Sequence, residues 1–62
     1  MNTYYSVICM IDDDSNIRLF LGDSIKAATI PNNSYKSTEF GDVWINWFSE
    51  KNDAIQYIEE QT

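Results

Sequence analysis

The chain opens with a run of apolar and aromatic residues that predicts a β-strand from Tyr4 to Ile11. Aromatic and β-branched residues, which favour strands, dominate this run. Successive side chains of a strand point to opposite faces of its sheet, and here both alternating sets are largely apolar. We therefore expect this strand to be central in its sheet or covered on both sides.

A second apolar run, Ile17 to Leu21, follows the polar turn 12–16 and predicts a strand that pairs with the first as an antiparallel hairpin. Gly22 is expected to end that strand. Residues 23–30 are ambiguous, because Asp23 or Ser24 could cap a short helix while the same residues could also form an edge strand. The pattern slightly favours the helix.

The next segment, 31–34, combines proline with two asparagines and predicts a loop. Strands are predicted over 35–40 and 43–48, joined by Gly41-Asp42 as a two-residue type II′ turn. Trp44 and Trp47 lie three positions apart, so they occupy opposite faces of the last strand. One should enter the core, and the other would remain available as an interface anchor.

The C-terminal segment predicts a helix from Glu50 to Glu60, with Ser49 as its N-cap. Ala54, Ile55 and Ile58 form an apolar stripe that should pack on the sheet. The predicted fold is therefore a single α+β domain over residues 1–62. It comprises a small antiparallel sheet of two β-hairpins, a short helical turn between them, and a C-terminal helix on one sheet face.

Charge and composition restrict the function. The chain has ten carboxylate side chains and four cationic ones, which gives a formal charge of −6 in 62 residues. This charge disfavours direct contact with nucleic acids or anionic membranes and favours a basic protein partner. The chain has no histidine, the commonest general base and metal ligand. It is also too short for a deep catalytic pocket, so we predict that it is not an enzyme.

Cys9 is the only cysteine, and no intramolecular disulfide can form. It lies within an apolar strand, where an inert thiol is expected. The first residues lack the basic and apolar regions of a signal peptide. These features predict a cytoplasmic location, which includes the cytoplasm of an infected bacterial cell.

The acidic turn partly matches a calcium-binding loop. Asp12, Asp14 and Asn16 have the spacing of its first three ligands, but Ile17 stands where the sharp bend requires glycine. A solvated hairpin turn explains the same residues. We therefore predict no metal and no cofactor.

The acidic side chains are the strongest candidates for function. Glu50, Asp53, Tyr57 and Glu60 share one stripe of the predicted helix, and acids in a last helical turn oppose the helix dipole. A solvated surface is the alternative explanation for the stripe. The residues predicted to contact a partner are Asp12, Asp13, Asp14, Asp42, Trp44, Glu50, Asp53, Tyr57, Glu59 and Glu60.

Together these features predict a non-enzymatic, acidic protein that binds the basic, nucleic-acid-binding site of a larger protein. In its general type the chain is similar to the small inhibitors that phages and mobile elements direct against host nucleic-acid enzymes. An anti-defence role, such as anti-CRISPR or anti-restriction activity, is the most concrete version. The alternative is an assembly module that forms a homodimer or larger oligomer through an apolar second sheet face, with acids that serve solubility.

Overall fold

A computed structural model describes residues 1–61. Four strands form one antiparallel sheet, and a single helix follows them, so the α+β class and the two hairpins are confirmed. The elements are β1 (Asn2–Asp12), β2 (Ile17–Ala27), β3 (Ser34–Thr38), β4 (Gly41–Phe48) and α1 (Lys51–Gln61).

The strand order is β2-β1-β4-β3, which places β1 between two neighbours as predicted. The two hairpins lie side by side, and β1 pairs with β4 from Tyr5↔Phe48 to Asp12↔Gly41. Both alternating sets of β1 side chains are largely apolar, and this suits an inner strand, whose side chains pack against those of a neighbouring strand on either side.

Strand β2 continues through Gly22 to Ala27, so both the predicted strand end and the favoured short helix are wrong. A β-bulge explains the difference: Tyr5 pairs with Ser24 but Val7 pairs with Leu21, which leaves two β2 residues opposite Ser6. The buried Ser6 hydroxyl donates a hydrogen bond to the Asp23 carbonyl oxygen at 2.8 Å. Gly22 lies within the bulge, and pairing between β1 and β2 continues beyond it from Ser24 to Ala27.

The turn between β3 and β4 consists of Glu39 and Phe40, two residues before the predicted position. Gly41 instead begins β4, pairs with Thr38 and has a φ of 135°. The Thr38 hydroxyl accepts from the Phe40 N–H at 3.2 Å and donates to the Gly41 carbonyl at 2.8 Å. A hydroxyl therefore closes the turn, while the glycine provides the unusual backbone angle immediately after it.

The connection 28–33 leads from one edge of the sheet to the other. It covers most of the predicted loop, although Ser34 already belongs to β3. Strand β3 pairs with β4 only as far as Ile45. Beyond that point the Asn33 side chain accepts a hydrogen bond from the Trp47 N–H at 2.9 Å. A loop side chain thus extends the hydrogen-bonding ladder of β4.

The predicted C-terminal helix is confirmed, with a start at Lys51 instead of Glu50. Glu50, and not the predicted Ser49, therefore precedes the first helical residue, and its carbonyl accepts a hydrogen bond from the Ala54 N–H at 3.3 Å. Ala54 is fully buried and Ile58 is half-buried, whereas Ile55 is exposed. The Tyr57 ring lies 5.4 Å from the Phe48 ring, and its hydroxyl is 3.4 Å from Asn46 Nδ2. The helix therefore packs through 54, 57 and 58, the i, i+3 and i+4 positions of one face.

The two sheet faces differ in their cover. Asn46 and Phe48, which contact the helix, lie opposite Val7 and Tyr5 of β1. The face that contains Val7 is hereafter the helix face, and the other is the open face. Within residues 1–61, no helix is long and apolar enough to cross a membrane.

Candidate interaction surfaces

Both hairpin turns lie at the same end of the sheet. Because Asp12 pairs with Gly41 and Ile11 with Asp42, turn 12–16 is adjacent to turn 39–40. We call this region the turn end, residues 12–16 and 39–42. Its five carboxylates belong to Asp12, Asp13, Asp14, Glu39 and Asp42. Strand pairing therefore brings together acids that are up to 30 positions apart in the sequence.

Asp12 holds its own turn together. Its Oδ1 accepts hydrogen bonds from the backbone N–H groups of Asp14 and Asn16, both at 2.9 Å, and Oδ2 accepts one from the Asn16 side chain at 3.2 Å. The Asn16 backbone hydrogen bond contributes most to a lowered pKa of Asp12, because it stabilises the ionised carboxylate. Arg18 contributes to the same direction. Asp12 thus has a structural role that the sequence analysis did not assign.

Asp42 also has an internal partner. The Tyr35 hydroxyl donates a hydrogen bond to Asp42 Oδ1 at 2.9 Å. This hydrogen bond to a carboxylate raises the pKa of Tyr35, because loss of the proton would place two negative oxygens together. At the turn end, Asp13, Asp14 and Glu39 are consequently the acids best placed to meet a partner.

The hydrogen bonds of Asp12 predict an acid-dependent loss of stability. A carboxylate with a lowered folded-state pKa stabilises the fold above its unfolded pKa, and this contribution disappears as pH falls through the folded value. We expect Asp12→Asn to lower the melting temperature at pH 7. The difference in melting temperature between this variant and the parent should become smaller below about pH 4. Thermal melts from neutral to acidic pH measure both effects.

The control for this prediction is Asp13→Asn, which removes the same charge from the same turn. Asp13→Asn should leave the melting temperature at pH 7 close to that of the parent. If the two variants gave the same curve, net charge would explain the effect and the hydrogen bonds of Asp12 would not.

The turn end contains two exposed residues that the sequence analysis missed. Glu39 and Phe40 form the tip of the second hairpin, and Phe40 is 80% exposed. Phe40 also lines a shallow pocket of about 240 Å³ together with Met10, Arg18 and Val43. The sequence placed Phe40 inside a strand, so an aromatic residue at the turn was not anticipated. An exposed aromatic ring among acids has the composition of a binding anchor.

The helix acids form a separate region. Strand β4 runs from Gly41 at the turn end to Phe48, about 23 Å away at a rise of about 3.3 Å per residue, and the helix begins beyond it. Glu50, Asp53, Glu59 and Glu60 are exposed, and Glu60 accepts a hydrogen bond from the Gln56 side chain at 3.2 Å. Tyr57 instead helps to hold the helix on the sheet. That the helix acids and Tyr57 contact a partner remains a prediction.

The two tryptophans lie on opposite faces, as expected. Trp44 pairs with Cys9 and lies on the helix face, where its ring is 5.0 Å from that of Tyr35 on the edge strand. Trp47 pairs with Ser6 and lies on the open face. Both are half-buried. Trp47, which was not among the predicted partner contacts, is therefore the tryptophan on the face that lacks the helix.

Cys9 and the acidic turn are the remaining candidates for chemistry in this chain. Cys9 is a free, half-buried thiol in the central strand, between Leu19 and Trp44. In the described part of the chain, no group of three or more histidine, cysteine or acidic side chains is arranged to hold a metal ion. At the acidic turn, the Asp12 oxygens instead accept hydrogen bonds from the turn itself.

Comparison with protein-family models, curated proteins and solved structures finds no match for this chain. Its function has to be inferred from its own residues.

Proposed function

We propose that this protein is a non-enzymatic binding protein whose turn end engages a basic site on a larger protein. The observation that supports it best is the grouping of five carboxylates at the turn end, which also carries the highly exposed Phe40. The acids would attract a basic surface and speed association, while Phe40 would supply apolar area at the centre of the contact.

A basic, nucleic-acid-binding site is the kind of surface that this arrangement would suit. Carboxylates at spaced positions can occupy the side chains that otherwise contact phosphates. Blocking such a site would inhibit the larger protein. The most concrete version remains an anti-defence inhibitor of a CRISPR or restriction nuclease, of the type that phages and mobile elements make.

The test starts with affinity capture from a lysate of the source cell and identification of bound proteins by mass spectrometry. Binding of the purified partner is then measured for two matched variants. The turn-end variant carries Asp13→Lys, Asp14→Lys and Glu39→Lys, and the helix variant carries Glu50→Lys, Asp53→Lys and Glu60→Lys. Each makes three charge reversals in exposed residues, so the change in net charge is the same.

We expect the turn-end variant to bind at least about 10-fold more weakly, mainly through slower association, and with a flatter salt dependence. The helix variant should lose less. Equal losses would show that net charge alone drives binding. A turn-end variant that binds like the parent would refute the proposed site, and a partner without a basic surface would refute the proposed function.

Phe40→Ala tests the anchor separately from the charges. Because the ring is 80% exposed, its removal should change the melting temperature little. Binding should weaken through faster dissociation, since apolar contact area holds a complex after encounter.

A further inference from the structure

The open face is apolar across β2, β1 and β4, whereas the edge strand β3 contributes Ser34, Lys36 and Thr38. One row of paired residues contains Phe20, Ile8 and Ile45, and the next contains Met10 and Val43. Trp47 and Ile25 continue the surface away from the turn end, where Tyr4 and Ser6 of β1, on the same face, are already buried within the chain. Met10 is 39% exposed, Phe20 43% and Ile25 38%. A sheet face of this composition is normally covered by another layer.

The folded chain buries little of its own apolar surface. Among the described residues, Tyr4, Val7 and Ala54 are the only apolar side chains that are buried. The accessible area is 4676 Å², about 550 Å² more than the roughly 4,100 Å² expected for a compact monomer of 7.2 kDa. A standard interface removes about 800 Å² from each partner. The excess area is thus about two-thirds of one side of a standard interface.

The charges on this face indicate what covers it. The row of Met10 and Val43 ends in a cation at each sheet edge, Arg18 on β2 and Lys36 on β3. The row of Ile8 and Ile45 ends in Phe20 and Ser34, and neither row contains a carboxylate. A basic partner that suits the acidic turn end would meet two like charges here. A second copy of this acidic chain could approach through the one broad surface whose centre lacks acids.

We propose that two copies pack through their open faces and form a two-sheet sandwich with the helices outside. Facing sheets pack about 10 Å apart, which allows Ile8, Ile45 and Phe20 of both copies to interdigitate. A two-fold axis parallel to the strands would stack Arg18 of one copy on Lys36 of the other. An axis across the strands separates these cations, so it is the favoured arrangement.

The test is sedimentation analysis of the full chain between about 1 and 200 µM at low and high salt. We expect a species of twice 7.2 kDa, and higher salt should preserve or strengthen it by screening repulsion between two acidic copies. This response is opposite to that expected for the basic partner. The dimer and the proposed function can therefore fail independently.

Ile45→Lys, at the centre of the open face, should raise the dimer dissociation constant by at least about 100-fold. The control is Ile17→Lys, an apolar-to-cationic change at a 61% exposed position on the helix face, which should leave dimerisation unchanged. Because Ile45 lies in an inner strand, the substitution could disturb the sheet, and circular dichroism is used to verify that the Ile45→Lys variant folds. Phe20→Ser on the edge strand provides a second open-face variant with less risk to the fold.

A Trp44→Phe variant leaves Trp47 as the only tryptophan and reports on the open face directly. Its emission should shift to shorter wavelength, and its quenching by acrylamide should fall, as concentration drives dimerisation. A monomer at every concentration would overturn the proposal. A dimer whose dissociation constant changes with Ile17→Lys but not with Ile45→Lys would also overturn it. So would a Trp47 that is protected from acrylamide by a captured partner but not by dimerisation.

Discussion

Gly41→Ala is expected to destabilise the protein by about 2–4 kcal/mol, which combines backbone strain with steric overlap. The φ of 135° at this position is one that side-chain-bearing residues rarely adopt. An added Cβ would also collide with the backbone oxygen of Ile11 and lie 2.8 Å from the Cα of Asp12. These are main-chain atoms of the central strand, so they cannot move aside without disrupting pairing between β1 and β4.

The expected loss is large for so small a domain. At about 0.05–0.15 kcal/mol per residue, the whole fold is stable by only about 3–9 kcal/mol. Urea denaturation followed by circular dichroism measures the change. Gly22→Ala is the comparison variant, because its Cβ would meet side chains, the Ser6 hydroxyl and Ile8 Cδ1, and not backbone, and its φ is not positive. It should therefore destabilise the protein less than Gly41→Ala, although it disturbs the hydrogen bond between Ser6 and Asp23. Equal destabilisation by both variants would contradict the assigned role of the Gly41 backbone.

Val7→Ala should lower the free energy of unfolding by about 2 kcal/mol, the second largest effect on stability that we expect. Val7 is fully buried in the central strand, on the face that the helix covers. Removal of two methyl-sized groups loses about 1.6 kcal/mol of transfer free energy, and the cavity left behind adds to this. Because Val7 lies between the sheet and the helix, we expect both elements of the Val7→Ala variant to unfold in a single transition.

Ile17→Ala is the control for this second prediction. It removes more apolar atoms from the same sheet face, but Ile17 is 61% exposed. Its effect on the free energy of unfolding should therefore stay within about 0.5–1 kcal/mol. A larger loss from Ile17→Ala than from Val7→Ala would show that the core lies elsewhere than around the helix.

Local pattern was sufficient for the main elements. Residues Tyr4 to Ile11 carry a strand composition so strong that both its existence and its central position were predictable. The helix was predicted to within one residue at each end, because its apolar spacing is a local signal. The overall excess of acids was equally evident in the sequence.

Errors arose where distant contacts override local preference. Gly22 resembled a strand end, but the hydrogen bond between Ser6 and Asp23 stabilises a bulge through which β2 continues. Gly41 resembled the first residue of a turn, whereas the Thr38 hydroxyl closes a turn that lies two residues earlier, at Glu39 and Phe40. Side-chain hydrogen bonds of this kind have no periodic signature.

The sequence by itself determined that four strands and a C-terminal helix exist, and it determined the acidic charge, because each depends on neighbouring residues or on composition. Only the tertiary structure decided which acids meet, since that depends on pairing between Asp12 and Gly41. It also decided that Trp47 lies on the open face and Trp44 on the helix face. Alternation along a strand separates its two faces, but the path of the helix selects which of them is covered.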